Sequence, residues 1–304
     1  MRIVILGAAG QVGRELIRAL GGRGAVVALD RQGCDLAVPG AAAAVVARER
    51  PRVVVNAAAY TAVDRAESEP AVARRVNAEA VAEIAAAVRG VDGLLVHYST
   101  DYVFDGAKTG SYREDDRTAP LGVYGATKLA GEEAIALARC RHVIVRTSWV
   151  HGRRGANFVR TILRLAAERD TLRVVADQVG APTGAALIAD VTALALDRWG
   201  DPRAVAPGLL HLAPRGETTW FDFARFVLAE AIARGARLRV GPDDVVPITT
   251  AEYPTPARRP ANSRLDTARL SGVLGLALPE WQDAVRDTVA AVVAESVDTV
   301  RATR

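Results

Sequence analysis

The feature that most restricts this chain lies at its start. A short apolar strand, Ile3-Val4-Ile5-Leu6, runs directly into Gly7-Ala8-Ala9-Gly10-Gln11-Val12-Gly13 and then into an amphipathic stretch. A strand that turns on glycines into a helix is the first half of a βαβ unit. The rest of the first half repeats that rhythm. Apolar runs at 2–6, 25–29, 52–55, 93–98 and 142–146 predict strands, and 11–21, 39–49, 70–89 and 121–139 predict helices between them. Continuous apolar strands separated by helix-length segments imply a parallel sheet covered on both faces. The expected fold class is α/β, a Rossmann-like doubly wound parallel sheet with a smaller α+β substrate-binding domain. After about residue 148 the rhythm loosens, with helices expected at 156–169, 186–198, 219–234 and 279–295 and prolines clustered at 242–247 and 254–260. The expected division is a dinucleotide-binding domain over 1–148, rejoined by about 185–212, and a substrate-binding domain over 149–184 and 213–304.

Composition narrows the class further. Of 304 residues, 50% are hydrophobic and 24% charged, which excludes wholesale disorder. The net charge of +4 comes from arginines interspersed with Asp and Glu, with no long like-charge run, so no nucleic-acid partner is expected. No apolar run approaches the roughly eighteen residues of a membrane span, so no membrane partner is expected either. Two cysteines, Cys34 and Cys140, are too few for a disulfide framework, and a reducing, cytoplasmic location is expected. The cations are lopsided: 39 Lys plus Arg include only two lysines, Lys108 and Lys128. In a chain that writes Arg nearly everywhere, each lysine merits a reason.

The glycine turn predicts a bound dinucleotide. Glycine lets the backbone approach a pyrophosphate, and the free N–H groups of the following helix favour the anion. Gly7, Gly10, Gln11, Val12 and Gly13 are the residues concerned. Asp30 ends the second predicted strand, where an acid meets the adenine ribose hydroxyls. Arg31 either stacks on adenine or pairs with a 2′-phosphate, and Asp35-Leu36 is a second adenine contact. The cofactor is NADPH or NADH, and the sequence does not choose between them.

Tyr124-Gly125-Ala126-Thr127-Lys128 places a phenol and an ammonium on one helix face. A phenol of ordinary pKa near ~10 exchanges protons sluggishly at neutral pH, and a nearby cation favours its ionised form. That pairing suits general acid–base catalysis. The strand 93–98 ends in Ser99-Thr100, and parallel sheets bind ligands beyond the carboxyl ends of their strands, so a hydroxyl there can hold a substrate oxygen.

Together with Asn56-Ala57-Ala58-Ala59, these elements resemble the extended short-chain dehydrogenase/reductase family. Longer segments resemble, within it, the nucleotide-sugar ketoreductases: 55–67, 97–104, 123–132, 146–150, 180–184 and 253–265. The resemblance covers essentially the whole chain in order. It implies a catalytic trio of Thr100, Tyr124 and Lys128. It implies cofactor contacts from Ala57, Ala58 and Ala59, and from Tyr124 and Lys128, beside the residues above. Thr61, Val63, Thr100, Asp101, Tyr102, Tyr124 and Trp149 are implied to line the sugar site, with Arg264 or a neighbour meeting the nucleotide diphosphate. The partner it implies is a dTDP-linked 4-keto-6-deoxy sugar. The implied reaction is reduction of dTDP-4-dehydro-6-deoxy-L-mannose to dTDP-L-rhamnose by hydride from NAD(P)H. Two alternatives stand beside it: a reductase of another dTDP-4-keto-6-deoxy sugar, and a non-catalytic dinucleotide-binding regulatory subunit.

Some members of the family dimerise through a magnesium site built from glutamates. Glu15 is present here, but Ala186 stands where a second glutamate is expected. One carboxylate holds a hard cation poorly, so no metal is expected, and the chain is expected to be a monomer or weak homodimer. The four histidines, His97, His142, His151 and His211, lack metal-ligand spacing, and Glu132-Glu133 and Asp243-Asp244 are adjacent pairs that do not form a glycosidase dyad.

Overall fold

Arg2–Leu6 forms β1, and everything else in the sheet is registered on it directly or in turn. The structure, a computed structural model, describes residues 1–201 and 203–302, without the side chains of 296–302. In chain order the main elements are β1, α1 (Gln11–Leu20), β2 (Ala25–Leu29), α2 (Ala41–Glu49), β3 (Val53–Asn56), α3 (Ala80–Gly90), β4 (Leu94–Thr100), α4 (Val123–Ala138) and β5 (Arg141–Thr147). They continue with α5 (Phe158–Glu168), α6 (Ala185–Trp199), β6 (Gly208–His211), α7 (Trp220–Ala233) and α8 (Trp281–Ala302). The sheet runs β6-β5-β4-β3-β1-β2, parallel throughout. Strand order reverses at β1, so the crevice beyond β1 and β3 is the topological switch point, where such sheets bind ligands.

The alternation of side chains along each strand divides the core into two faces. Ile3, Ile5, Val53, Val55, Leu94, Val96, Val143 and Val145 pack with Leu16 and Leu20 of α1 and Ile188 and Leu196 of α6. Val4, Leu6, Val54, Leu95 and Ile144 pack with Val45 and Val46 of α2, Ile84 and Val88 of α3, and Ile135 of α4. Each such side chain, fully removed from water, contributes roughly 1.5–3 kcal/mol. A third cluster lies outside the sheet. There Val159 and Ile162 of α5, Phe223 and Val227 of α7, and Val285 and Val289 of α8 pack beside two short strands, Leu172–Val175 and Val245–Ile248, paired parallel.

The apolar runs predict five strands for the sheet; the structure has six. The sixth, β6, is only four residues long, between Pro207 and Pro214, and its pattern is too short to register as a strand. Leu210 and Leu212 nevertheless close the sheet core. The predicted helix over 70–89 is interrupted by a π-helical turn at Arg75–Glu79. That turn carries buried Asn77, whose Nδ2 donates to the Tyr60 carbonyl at 3.0 Å and to Thr127 Oγ1 at 3.2 Å. A short helix, Val63–Ser68, and another, Ala268–Leu274, are additional to the prediction. Among the described residues no helix is long and apolar enough to cross a membrane.

Candidate active site

A cavity of about 580 Å³ opens over the carboxyl ends of the sheet strands. At its floor β1 turns on Gly7, which has a φ of +83°, the left-handed region that glycine occupies freely. A side chain at Gly13 would place a Cβ 2.1 Å from the Gly7 carbonyl oxygen, so the turn closes on α1 only with glycine there. Gly10 precedes α1 without a side-chain cap, which leaves the first helical N–H groups to an incoming anion. The residues present therefore suit a dinucleotide pyrophosphate. Gly13 lies under the turn, buried and not lining the cavity.

Asp30, Arg31, Asp35 and Leu36 line the same cavity. Both acids also hold their own turns: Asp30 Oδ1 accepts from the Gln32 and Gly33 N–H groups at 3.0 and 3.1 Å, and Asp35 Oδ1 from that of Ala37 at 2.9 Å. Gln11 reaches across the cleft, where its Oε1 accepts from Asn157 Nδ2 at 2.9 Å. That bond ties the glycine turn to the segment before α5. Ala57, Ala58 and Ala59, following β3, complete this wall.

The reacting end is built from β4 and α4. Thr100 Oγ1 accepts from the Tyr102 N–H at 3.2 Å and donates to Asp101 Oδ1 at 3.1 Å, so it caps the turn that follows its strand. Tyr124, in the first turn of α4, stands edge-on to Tyr102 with ring centroids 5.5 Å apart. Burial pushes its phenol up to about 12, partly offset by a hydrogen bond with Thr100. The YxxxK spacing predicts a phenol lowered by the lysine; in the structure desolvation wins. Lys128, 2% exposed, donates to the Tyr98 carbonyl at 2.7 Å and faces His97 Nε2 at 3.2 Å. Burial brings its own pKa down to about 8.

Three polar atoms at this end, Ser99 Oγ, Asp101 Oδ2 and Thr147 Oγ1, are buried without a hydrogen-bond partner among the described residues. Burial raises the Asp101 carboxyl to about 6, against the pull of the Ser263 and Thr100 hydroxyls. Unpaired buried polar atoms around a cavity mark where a ligand supplies the missing partners.

Thr61, Val63, Asp101, Tyr102 and Trp149 all line the cavity. Trp149 has a φ of +48°, uncommon outside glycine. Trp220 of α7 stacks on its ring at 3.7 Å, and Gly180 lies beneath it. Packing from the third cluster thus fixes this wall. Arg264 is elsewhere. Its guanidinium donates to Thr109 O at 2.7 Å and Asn262 Oδ1 at 2.8 Å, and pairs with Glu217 at 3.1 Å. Its neighbour Arg259 binds the Asp64 carboxylate with its two terminal nitrogens at 2.9 and 2.8 Å, and neither residue lines the cavity. That pair joins the proline-rich loop to the segment after β3. Cys34, Val76, Tyr98, Ser99, Thr147, Val150, Ala156 and Ile188 also line the cavity. Tyr98, Ser99, Thr147 and Val150 fall in the segments 97–104 and 146–150 noted in the sequence, whereas Cys34, Val76, Ala156 and Ile188 carry no motif.

A parallel sheet with a glycine turn at its switch point, and a strand-end hydroxyl facing Tyr and Lys one helical turn apart, are the features by which the chain resembles the extended short-chain dehydrogenases/reductases. A family model described as RmlD substrate binding domain matches residues 1–294, and the chain belongs to that family. A dTDP-4-dehydrorhamnose reductase from Burkholderia thailandensis is 50% identical over 290 residues, covering 94% of this chain and 97% of that protein. One from Escherichia coli is 48% identical over 290 residues, covering 94% and 96%. A crystal structure of dTDP-4-dehydrorhamnose reductase from Bacillus anthracis, in complex with NADP, superposes with a TM-score of 0.84 at 33% identity, covering 94% and 98%.

Proposed function

We propose that this chain is an NAD(P)H-dependent oxidoreductase that reduces dTDP-4-dehydro-6-deoxy-L-mannose to dTDP-L-rhamnose. The observation that carries the reading is convergence: glycine turn, Asp30, Thr100, Tyr124 and Lys128 meet in one cavity at the carboxyl ends of the strands. Relatives at 50% and 48% identity over nearly their whole length carry the name of that reductase. The dinucleotide, when bound, supplies the hydride for the C4 ketone.

The chain's own residues do the rest. The N–H groups opening α1 hold the pyrophosphate, and Asp30 the adenine ribose. Tyr124 gives its proton to the C4 oxygen as that oxygen gains charge; a phenol raised by burial is fully protonated at neutral pH and ready to donate. Thr100 holds the same oxygen, and Lys128 holds the nicotinamide ribose as a compact cation, a task that Arg's planar fork does less well. Val63, Asp101, Tyr102 and Trp149 shape the sugar site. We also read the chain as two units, residues 1–148 rejoined by about 185–212, and 149–184 with 213–304. The third apolar cluster, drawn from 149–184 and 213–304 alone, supports this, while Leu270 and Leu278 tie the second unit to the sheet core.

Loss of nicotinamide absorbance is expected when dTDP-4-keto-6-deoxy sugar is generated in the same vessel, with NMR identifying dTDP-L-rhamnose. A different C4 product assigns the chain to another 4-keto sugar, and no oxidation above background leaves a dinucleotide-binding subunit. A non-catalytic subunit has no use for the retained trio of Thr100, Tyr124 and Lys128.

Replacing Asp30 with Ala is expected to weaken NADH more than NADPH, because only the former loses a partner for a free 2′-hydroxyl. The Asp30→Asn variant keeps an acceptor for the turn N–H groups and separates charge from turn geometry. Fluorescence titration with each cofactor reads the difference. Equal weakening of both would assign the choice to Arg31.

A further inference from the structure

One buried polar chain behind the site has no part in the reaction as described. Asn56 closes β3 and His97 lies on β4, at 1% and 0% exposure. Asn56 Oδ1 accepts from the Ala58 main-chain N–H at 3.2 Å. That group can only donate, so the amide is oriented with Nδ2 toward His97 Nδ1, at 3.1 Å. An amide nitrogen also only donates. His97 Nδ1 therefore presents its lone pair, and the single proton of a neutral imidazole sits on Nε2. Nε2 in turn faces Lys128 Nζ at 3.2 Å, while Nζ donates to the Tyr98 carbonyl at 2.7 Å.

The two charge states of Lys128 fit this chain unequally. A neutral amine accepts from Nε2–H and still donates to Tyr98. An ammonium has three donors and no lone pair. It sets donor against donor at Nε2, or else drives the ring proton to Nδ1, where it meets the Asn56 amide.

We propose that Asn56 and His97 are positioning residues that weaken the hold of Lys128 on its proton, by presenting it with a hydrogen-bond donor where an acceptor would stabilise the ammonium. The proposal rests on Lys128 belonging to the reductive site, but it concerns one protonation equilibrium and needs no substrate for its test. The surroundings act in the same direction. Burial lowers Lys128 to about 8 and holds His97 well below the usual imidazole range. On α4, Glu132 pulls Lys128 upward, but its carboxylate is engaged by Arg146 of β5. Tyr124 on α4 and Asp101 after β4 line the same cavity, and the Tyr98 phenol is bonded away to Thr192 of α6. Lys128 is thus a cation below about pH 8 and an amine above it. The ribose-holding charge, and with it kcat/KM for reduction, declines as pH rises through that value.

The lysine count makes the test direct. With only Lys108 and Lys128 in the chain, protein labelled with carbon-13 at the lysine ε position gives two resonances, and Lys108→Arg assigns them. The Lys128 resonance is expected to titrate near pH 8, against 10.5 for an ordinary lysine. Nitrogen-15 shifts above that midpoint are expected to place the His97 proton on Nε2. In Asn56→Asp a carboxylate accepts at Nδ1, the ring proton moves there, and Nε2 turns acceptor. The Lys128 midpoint then rises by about one pH unit or more, the size of one such differential contact. A wild-type His97 protonated on Nδ1, a Lys128 that titrates as an ordinary lysine, or an unchanged midpoint in Asn56→Asp overturns the proposal. The wild-type measurements stand even where the variant fails to fold. None of them uses cofactor or sugar, so they fail or succeed independently of the reductase assay.

Discussion

Replacing Tyr124 with Phe is expected to cut turnover by roughly 10²–10⁴ while leaving dinucleotide affinity within a few-fold of wild type. The substitution removes one hydroxyl and nothing else of size. The ring keeps its edge contact with Tyr102, and the helix start around it is unchanged. What disappears is the proton that the C4 oxygen needs. Thr100 remains, but its one proton is donated to Asp101 Oδ1, and it has no comparable path to replace the proton that is lost. Steady-state kcat set beside a cofactor titration separates chemistry from binding. A near-normal kcat would remove Tyr124 from the role of acid.

Breaking the Arg146–Glu132 pair is expected to cost about 3–5 kcal/mol, a large share of the roughly 5–15 kcal/mol that holds an ordinary domain folded. Arg146 Nε lies 3.0 Å from Glu132 Oε1, and a terminal nitrogen lies 2.6 Å from Oε2, with both residues under 7% exposed. The guanidinium also packs 5.0 Å from the Phe104 ring centroid. Arg146→Ala leaves a buried carboxylate without the guanidinium that hydrogen-bonds it, which is the expensive half of such a pair. The double variant Arg146→Met with Glu132→Leu removes both charges and is expected to recover most of the loss. Urea unfolding of the three proteins measures both effects. A loss below ~1 kcal/mol in Arg146→Ala, the size of a surface pair, would show that the pair does not anchor α4. The consequence reaches function, because Glu132 lies one turn beyond Lys128 and two beyond Tyr124 on the same helix. The pair pins to β5 the helix that carries both.

Much of this site was legible because its motifs are local. A glycine turn between strand and helix, and a phenol and a lysine four residues apart on one helix, depend on backbone geometry within a few residues. The lopsided use of Arg pointed the same way. Lys128 is buried beside His97, while Lys108 pairs with Asp116 above the Tyr112 ring, a surface position with a local partner. Arg264 shows where such reading stops. As a cation in a proline-rich segment it fits a diphosphate, yet Glu217, Thr109 and Asn262 occupy its guanidinium. Those partners lie up to 155 residues away in the chain, and no spacing encodes them.

The sequence by itself determined the parallel sheet, the dinucleotide turn and the Tyr124–Lys128 face, since apolar periodicity, glycine stereochemistry and helical pitch act over short spans. The tertiary structure decided the rest. It set β6 at the sheet edge, stacked Trp220 on Trp149, and ran Asn56 and His97 behind Lys128. It also raised the Tyr124 phenol instead of lowering it. Desolvation and the direction of a buried hydrogen-bond chain are properties of what surrounds a group, and those surroundings assemble only when distant strands and helices meet.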